Sequence, residues 1–233
     1  MDDEKPAPAE KPGLISTLGS LAKLWQLVTV LPLWAKGGAA LVGVVAAVVA
    51  FFVAPKPPSP LPLKAPFTVS DIYKPGNFMG DGETCQDCVE INAAFSGKSR
   101  PGNSKGYCIR ISYLKPAGKG FAGVYWAEPA HNWGEVPGRK VLGASRVSFW
   151  AAGENGGEVV EFMAGGIRSP GKPFFDSFSA TLGQKRLEKE WRRFEIDLKE
   201  CSLSDVIGAF AWSAAANWNP SPLVFYLDDI RYE

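Results

Sequence analysis

Histidine is almost missing from this chain: His131 is the only one in 233 residues. That excludes machinery needing two imidazoles, including most catalytic zinc sites. An excess of either charge is missing too, with 25 Lys and Arg against 24 Asp and Glu. Nucleic acid is usually met by a basic face, so no nucleic-acid partner is expected. After residue 67 there is no long run with helical spacing of apolar residues. A parallel α/β fold needs helices between its strands, and this absence argues against one. Cysteine does not occur before Cys85. What remains, 46% hydrophobic residues with 25 Gly and 19 Pro, is a globular composition rather than a disordered or collagen-like one.

The one long hydrophobic run is "GGAALVGVVAAVVAFFVAP", residues 37–55, bracketed by Lys36 and Lys56. As a helix it would span ~28 Å, close to the thickness of a bilayer's hydrocarbon core. A single transmembrane helix is expected over 37–55, rather than a buried core helix, because the run is apolar on every side and proline-rich sequence follows it. Residues 1–13 read as a polar N-terminal tail. Over residues 14–35, Leu14, Leu18, Leu21, Trp25 and Val28 recur at three- and four-residue steps. That spacing suits an amphipathic helix lying in the membrane interface, with a first spanning helix as the alternative. Residues 56–66 form a proline-rich linker, extended and semi-rigid. All four cysteines, Cys85, Cys88, Cys108 and Cys201, follow the apolar run. An even number in one domain points to disulfides and an oxidising compartment, with three connectivities open. The expected topology is therefore single-pass, N-terminus cytoplasmic and C-terminal domain extracytoplasmic, periplasmic or at the cell surface.

From residue 67 to residue 233 short strand-like runs alternate with Gly, Pro, Asn and Asp. "FTVSDIY", "CVEINAAF", "YCIRISYL", "FAGVYWA", "ASRVSFWAA", "EVVEFMAGGI", "WRRFEIDL", "VIGAFAWSA" and "LVFYLDDIRY" are the candidates. Eight or nine such strands predict an all-β jelly-roll sandwich over 67–233. The segments "NFMGDGE", "GFAGVYWAEPAHNWG", "VSFWAAGENGGEVVEFMAGGI", "WRRFEIDL", "IGAFAW" and "FYLDDIRYE", taken in succession, resemble galactose-binding-domain-like β-jelly rolls. Such domains serve as carbohydrate-binding modules or accessory domains of secreted and surface proteins. The resemblance implies a non-catalytic, extracytoplasmic carbohydrate-binding module and a glycan ligand.

Sugars present apolar C–H faces ringed by hydroxyls, so a binder needs flat rings beside amides, carboxylates or Arg. The candidates are Tyr125, Trp126, His131, Asn132, Trp133, Arg168 and Trp218. Against this stands the commonest use of an aromatic, filling the core. That reading is preferred for Trp150 and for one of Trp126 and Trp212. For Trp133 and Trp218, in loops, both readings stand.

In the final run, "FYLDDIRYE", two acids adjoin. Domains of the resembling kind often hold a structural calcium beside the last strand. By that likeness Asp228, with Asp71 or Asp81, is a candidate calcium ligand. The alternative is a carboxylate accepting loop amides or pairing with Arg110 or Arg231. A catalytic pair is disfavoured, since neighbours in a strand point apart whereas glycosidase carboxylates face each other across a cleft. The "CQDC" motif in an all-β domain reads as disulfide before redox centre or zinc site. The competing function is a structural or accessory subunit of a membrane complex, with membrane lipid and membrane-protein partners. The long segment before the apolar run supports it.

Overall fold

The computed structural model of the chain describes residues 58–85, 87–114, 120–219 and 222–233. The tail, the amphipathic segment and the apolar run over 37–55 lie outside the described residues. Among the described residues no helix is long and apolar enough to cross a membrane.

Among the described residues there are thirteen strands, eleven of which build an all-β sandwich of two antiparallel sheets, while β1 and β7 form a separate pair. In chain order they are β1 (Leu63–Lys64), β2 (Phe67–Thr68), β3 (Lys74–Gly80), β4 (Val89–Phe95), β5 (Cys108–Tyr113), β6 (Phe121–Ala127), β7 (Val141–Leu142), β8 (Arg146–Gly153), β9 (Val159–Gly165), β10 (Ser179–Arg186), β11 (Arg192–Asp197), β12 (Gly208–Ala215) and β13 (Leu223–Tyr232). One sheet runs β10-β9-β12-β6-β3. The other runs β11-β8-β13-β5-β4, with β2 added beside the end of β13. Single-turn helices α1 (Val69–Ile72) and α2 (Asp81–Thr84) flank β3. The expected strand "FTVSDIY" is thus two residues of strand followed by a helical turn. β1 pairs in parallel with β7, so the end of the proline-rich linker lies on the sandwich.

The core follows from alternation. Val147, Phe149 and Ala151 of β8 point inward, as do Val160, Phe162 and Ala164 of β9. Phe149, Phe162, Phe210 and Phe225 pack with ring centroids 4.8–6.4 Å apart, the range aromatic pairs favour. Trp126 and Trp212 are both in this core, 1% and 0% exposed. The expectation for Trp150 is corrected: its neighbour Phe149 takes the inward phase, so Trp150 falls on the outer face, half-buried, under the Arg100 guanidinium at 4.8 Å.

β13 departs from simple alternation. Leu223, Phe225 and Leu227 face the core, and then Ile230 and Tyr232 do. The phase changes at a bulge between Asp228 and Arg231. Asp229 is the extra residue, with φ +51°, a left-handed conformation that Asp tolerates better than most residues. Asp228 pairs in register with Trp150 and shares its outer face.

Cysteine usage is also corrected. Cys85 and Cys88 form a disulfide, while Cys108 and Cys201 are free thiols. Cys108 lies in the outer-face cluster with Val224 and Tyr226, whereas Cys201 packs against the inner core. They stand on opposite sides of a sheet, and a disulfide needs Cα atoms within about 7 Å.

Candidate functional site

A cleft of about 530 Å³ opens beside α1, where β4 and β5 of one sheet approach β3 of the other. Its buried wall includes Tyr73, Trp126 and Ile230, with half-buried Ile91 and Ile109 beside them. Its exposed rim is polar: Asp71, Lys74, Ser104, Lys105 and Tyr107. Such a volume lies within the range typical of small-molecule sites. Tyr107 is 41% exposed and offers a flat ring at the mouth.

One wall is the loop from residue 96 to residue 107, between β4 and β5. The aligned acids of the β13 bulge hold it. Asp228 Oδ2 accepts Arg100 Nε at 3.0 Å and Asn103 Nδ2 at 3.0 Å. Arg100 also reaches Asp229 at 3.7 Å, and Asp229 meets Arg231 at 3.8 Å. The partner of Asp228 is therefore Arg100, a residue the sequence reading did not consider. The available signal was loop length: the 12 residues between Phe95 and Cys108 exceed most connections, and long loops are commonly functional.

Of the acids expected to hold calcium, Asp71 precedes β3 and Asp81 follows it, so the strand's seven residues hold them apart by about 23 Å and only one of them can share an ion with Asp228; Asp71 is the one that lines the cleft with it. Calcium ligands must lie within about 2.6 Å of one ion. Asp81 accepts the Tyr113 hydroxyl instead. Among the described residues no three of His, Cys, Asp and Glu gather as a metal site.

The seven residues expected to bind carbohydrate do not line one groove. Trp126 is enclosed in the core and meets the cleft only as part of its wall. Tyr125, 7% exposed, stands edge-on to Trp133 at 6.0 Å on the outer face of the five-stranded sheet. Burial pushes its hydroxyl up to about 12. Asn132 is 2% exposed and organises its loop: Oδ1 accepts the amides of Gly134, Glu135 and Val136, while Nδ2 donates to the carbonyls of Glu128 and Val136. That is the turn-forming use of Asn. His131 is exposed beside it, with φ +66°. Arg168 is exposed and lies over Phe175 at 4.4 Å, at a smaller hollow of about 270 Å³ that also includes Asp176. Trp218 is at the other end of the sandwich. Trp133 follows the end of β6 and Trp218 the end of β12, and these strands pair antiparallel, so their ends point apart.

Asp176 ties the second loop system together. Its carboxylate accepts Ile167 N at 2.8 Å, Ile207 N at 2.6 Å and Gly208 N at 3.2 Å. Burial pushes its carboxyl up to about 7, against the pull of those three amides.

No family model matches this chain. No curated protein matches it either. Among solved structures, the family 30 carbohydrate-binding module of a cellulosomal cellulase of Clostridium thermocellum is similar at 17% identity and TM-score 0.42, covering 73% of this chain and 94% of that one. A carbohydrate-binding module, TmCBM61, in complex with β-1,4-galactotriose is similar at 15% identity and TM-score 0.38, covering 70% and 92%. The glycoside hydrolase domain of Endo-D from Streptococcus pneumoniae is similar at 16% identity and TM-score 0.43, covering 66% of this chain and 21% of that one. The β-sandwich described above resembles carbohydrate-binding modules of families 30, 61 and 29.

Proposed function

We propose that this chain is a membrane-anchored, extracytoplasmic, non-catalytic module whose sandwich binds glycan in the cleft beside α1. The observation that carries the reading is the cleft's make-up: an accessible apolar side of half-buried Ile91 and Ile109 and exposed Tyr107, backed by the buried Tyr73 and Trp126, under a rim of hydroxyl, amide and charged groups. A sugar ring pairs apolar C–H faces with peripheral hydroxyls, and this arrangement answers both. The rim's charges balance closely, Lys74, Arg100, Lys105 and Arg231 against Asp71, Asp228 and Asp229, which suits a neutral glycan. Anchoring is supported by the apolar run over 37–55, and an oxidising compartment by the Cys85–Cys88 disulfide.

The test is calorimetric titration of the full chain, in mild detergent, against a panel of neutral and acidic oligosaccharides. Tyr107→Ala should weaken binding about tenfold, the factor that corresponds to ~1.4 kcal/mol. Trp218→Ala should leave it unchanged. Binding lost with Trp133→Ala but kept with Tyr107→Ala would move the site to the outer face of the five-stranded sheet, and no binding at all would sink the reading.

A second reading has its own observation. Leu114, Phe121 and Trp218 are 53%, 47% and 50% exposed at the end remote from the cleft. Exposed apolar side chains gathered at one end suit a protein-docking surface, as in an accessory subunit of a membrane complex. Co-purification of a partner that Trp218→Asp abolishes would favour it.

A further inference from the structure

The cleft's outer wall has no regular secondary structure of its own. Gly102 and Gly106 both have positive φ, and the segment is secured mainly through side chains. Lys98 Nζ donates to the Gly153 carbonyl at 2.8 Å and lies over the Tyr226 ring at 4.8 Å. Arg100 lies over Trp150 at the same distance and spans both acids of the bulge. Asn103 Nδ2 divides its donors between Asp228 and the Tyr107 carbonyl, at 3.0 and 2.8 Å. Among the described residues Asp228 is thus the one side chain that binds both Arg100 and Asn103, and it is itself only 9% exposed.

We infer that Asp228 is a positioning residue for ligand recognition: through Arg100 and Asn103 it fixes the wall that carries Lys105 and Tyr107. The inference rests on the cleft being the binding site. The bulge is what makes it work. In an unbroken strand Asp229 would point to the core, whereas the extra left-handed residue leaves both carboxylates available to one guanidinium. Arg–carboxylate contacts of this kind are charge-assisted and directional, so they set a geometry as well as a stability. Lys105 and Tyr107 follow within four residues of Asn103 and take their place from it.

Hydrogen exchange of the full chain, read by mass spectrometry, tests this without any ligand. In Asp228→Ala the hydrogen-bonded amides of the 98–107 segment, those of Asn103 and Lys105, should exchange about tenfold faster, while those of the β6–β12 ladder keep their rates. Asn103→Ala, a substitution outside the sheets, should loosen the same segment and serves if Asp228→Ala does not fold. Both variants should also lose about tenfold in affinity for whichever oligosaccharide the wild-type chain binds. Unchanged exchange over 98–107 in both variants would overturn the inference. So would a loosened segment with undiminished affinity. A wild-type chain that binds no oligosaccharide would overturn the cleft reading instead, and the exchange rates would still decide whether Asp228 positions the wall.

Discussion

The thiol of Cys108 is 1% exposed and donates to the Lys98 carbonyl at 3.0 Å, beneath the 96–107 loop. Burial, with the nearby Asp228 charge adding to it, pushes this thiol up to about 11. The thiolate is the reactive form, so at pH 8 only a very small fraction can react, and burial hides that fraction. Cys201 is half-buried and its thiol is also raised by burial, though it stands nearer solvent. Brief iodoacetamide treatment of the native chain at pH 8 should therefore label Cys201 and spare Cys108. Denaturation should add Cys108, and reduction should add Cys85 and Cys88. Mass spectrometry of the peptides reads each step. Rapid native labelling of Cys108 would mean that the loop above it opens freely, against the anchoring by Lys98 and Arg100.

At the scale of elements, the loop after β9 and the entry to β12 depend on one carboxylate. Asp176→Ala would leave the amides of Ile167, Ile207 and Gly208 buried without acceptors, at ~1–3 kcal/mol for each group that water cannot reach. A loss of about 3 kcal/mol or more in urea denaturation is expected, with the affinity of the cleft intact. The strands themselves were largely legible. Arg146–Val147–Ser148–Phe149 alternates as β8 does, and Arg193–Phe194–Glu195–Ile196 as β11 does, because one polar and one apolar face is a period-2 pattern. Trp150 was misplaced because size alone suggested the core, although the phase set by Val147 and Phe149 already pointed it outward. The bulge was not legible, since two adjacent Asp residues have no local mark saying which strand pairing will slip. The candidate site was hidden for a related reason. Rings close in sequence, such as Tyr125, Trp126 and Trp133, divide between core and surface. The cleft is instead assembled from residues 68–75, 91–109, 126 and 228–231, brought together by the pairing of β13 with β5 and β2 and of β3 with β6.

For the molecule as a whole, the open matter is where the folded sandwich begins. The strand pattern starts at Phe67, whose ring stacks on Tyr232 at 5.0 Å and so ties the first part of the domain to its last strand. Upstream of it, Leu63 N donates to the Lys140 carbonyl at 2.8 Å and Ala65 N to the Leu142 carbonyl at 2.9 Å. Arg139 adds a bond to the Leu61 carbonyl at 3.1 Å while its other guanidinium nitrogens hold Glu128. Leu63 packs its side chain against the main core. Three hydrogen bonds at ~0.5–1.5 kcal/mol each, with the partial burial of one leucine, amount to about 2–4 kcal/mol. A chain beginning at residue 67 should therefore melt roughly 4–16 °C below one beginning at residue 58, at the 2–4 °C per kcal/mol expected for a domain of this size. Calorimetry of the two chains in the same buffer reads the difference. A gap of that size would make the last residues of the proline-rich segment part of the sandwich, and would shorten the free linker before it to the residues upstream of Leu61. Equal melting temperatures would show that the β1–β7 pairing adds no stability, and that the domain begins where its strand pattern does.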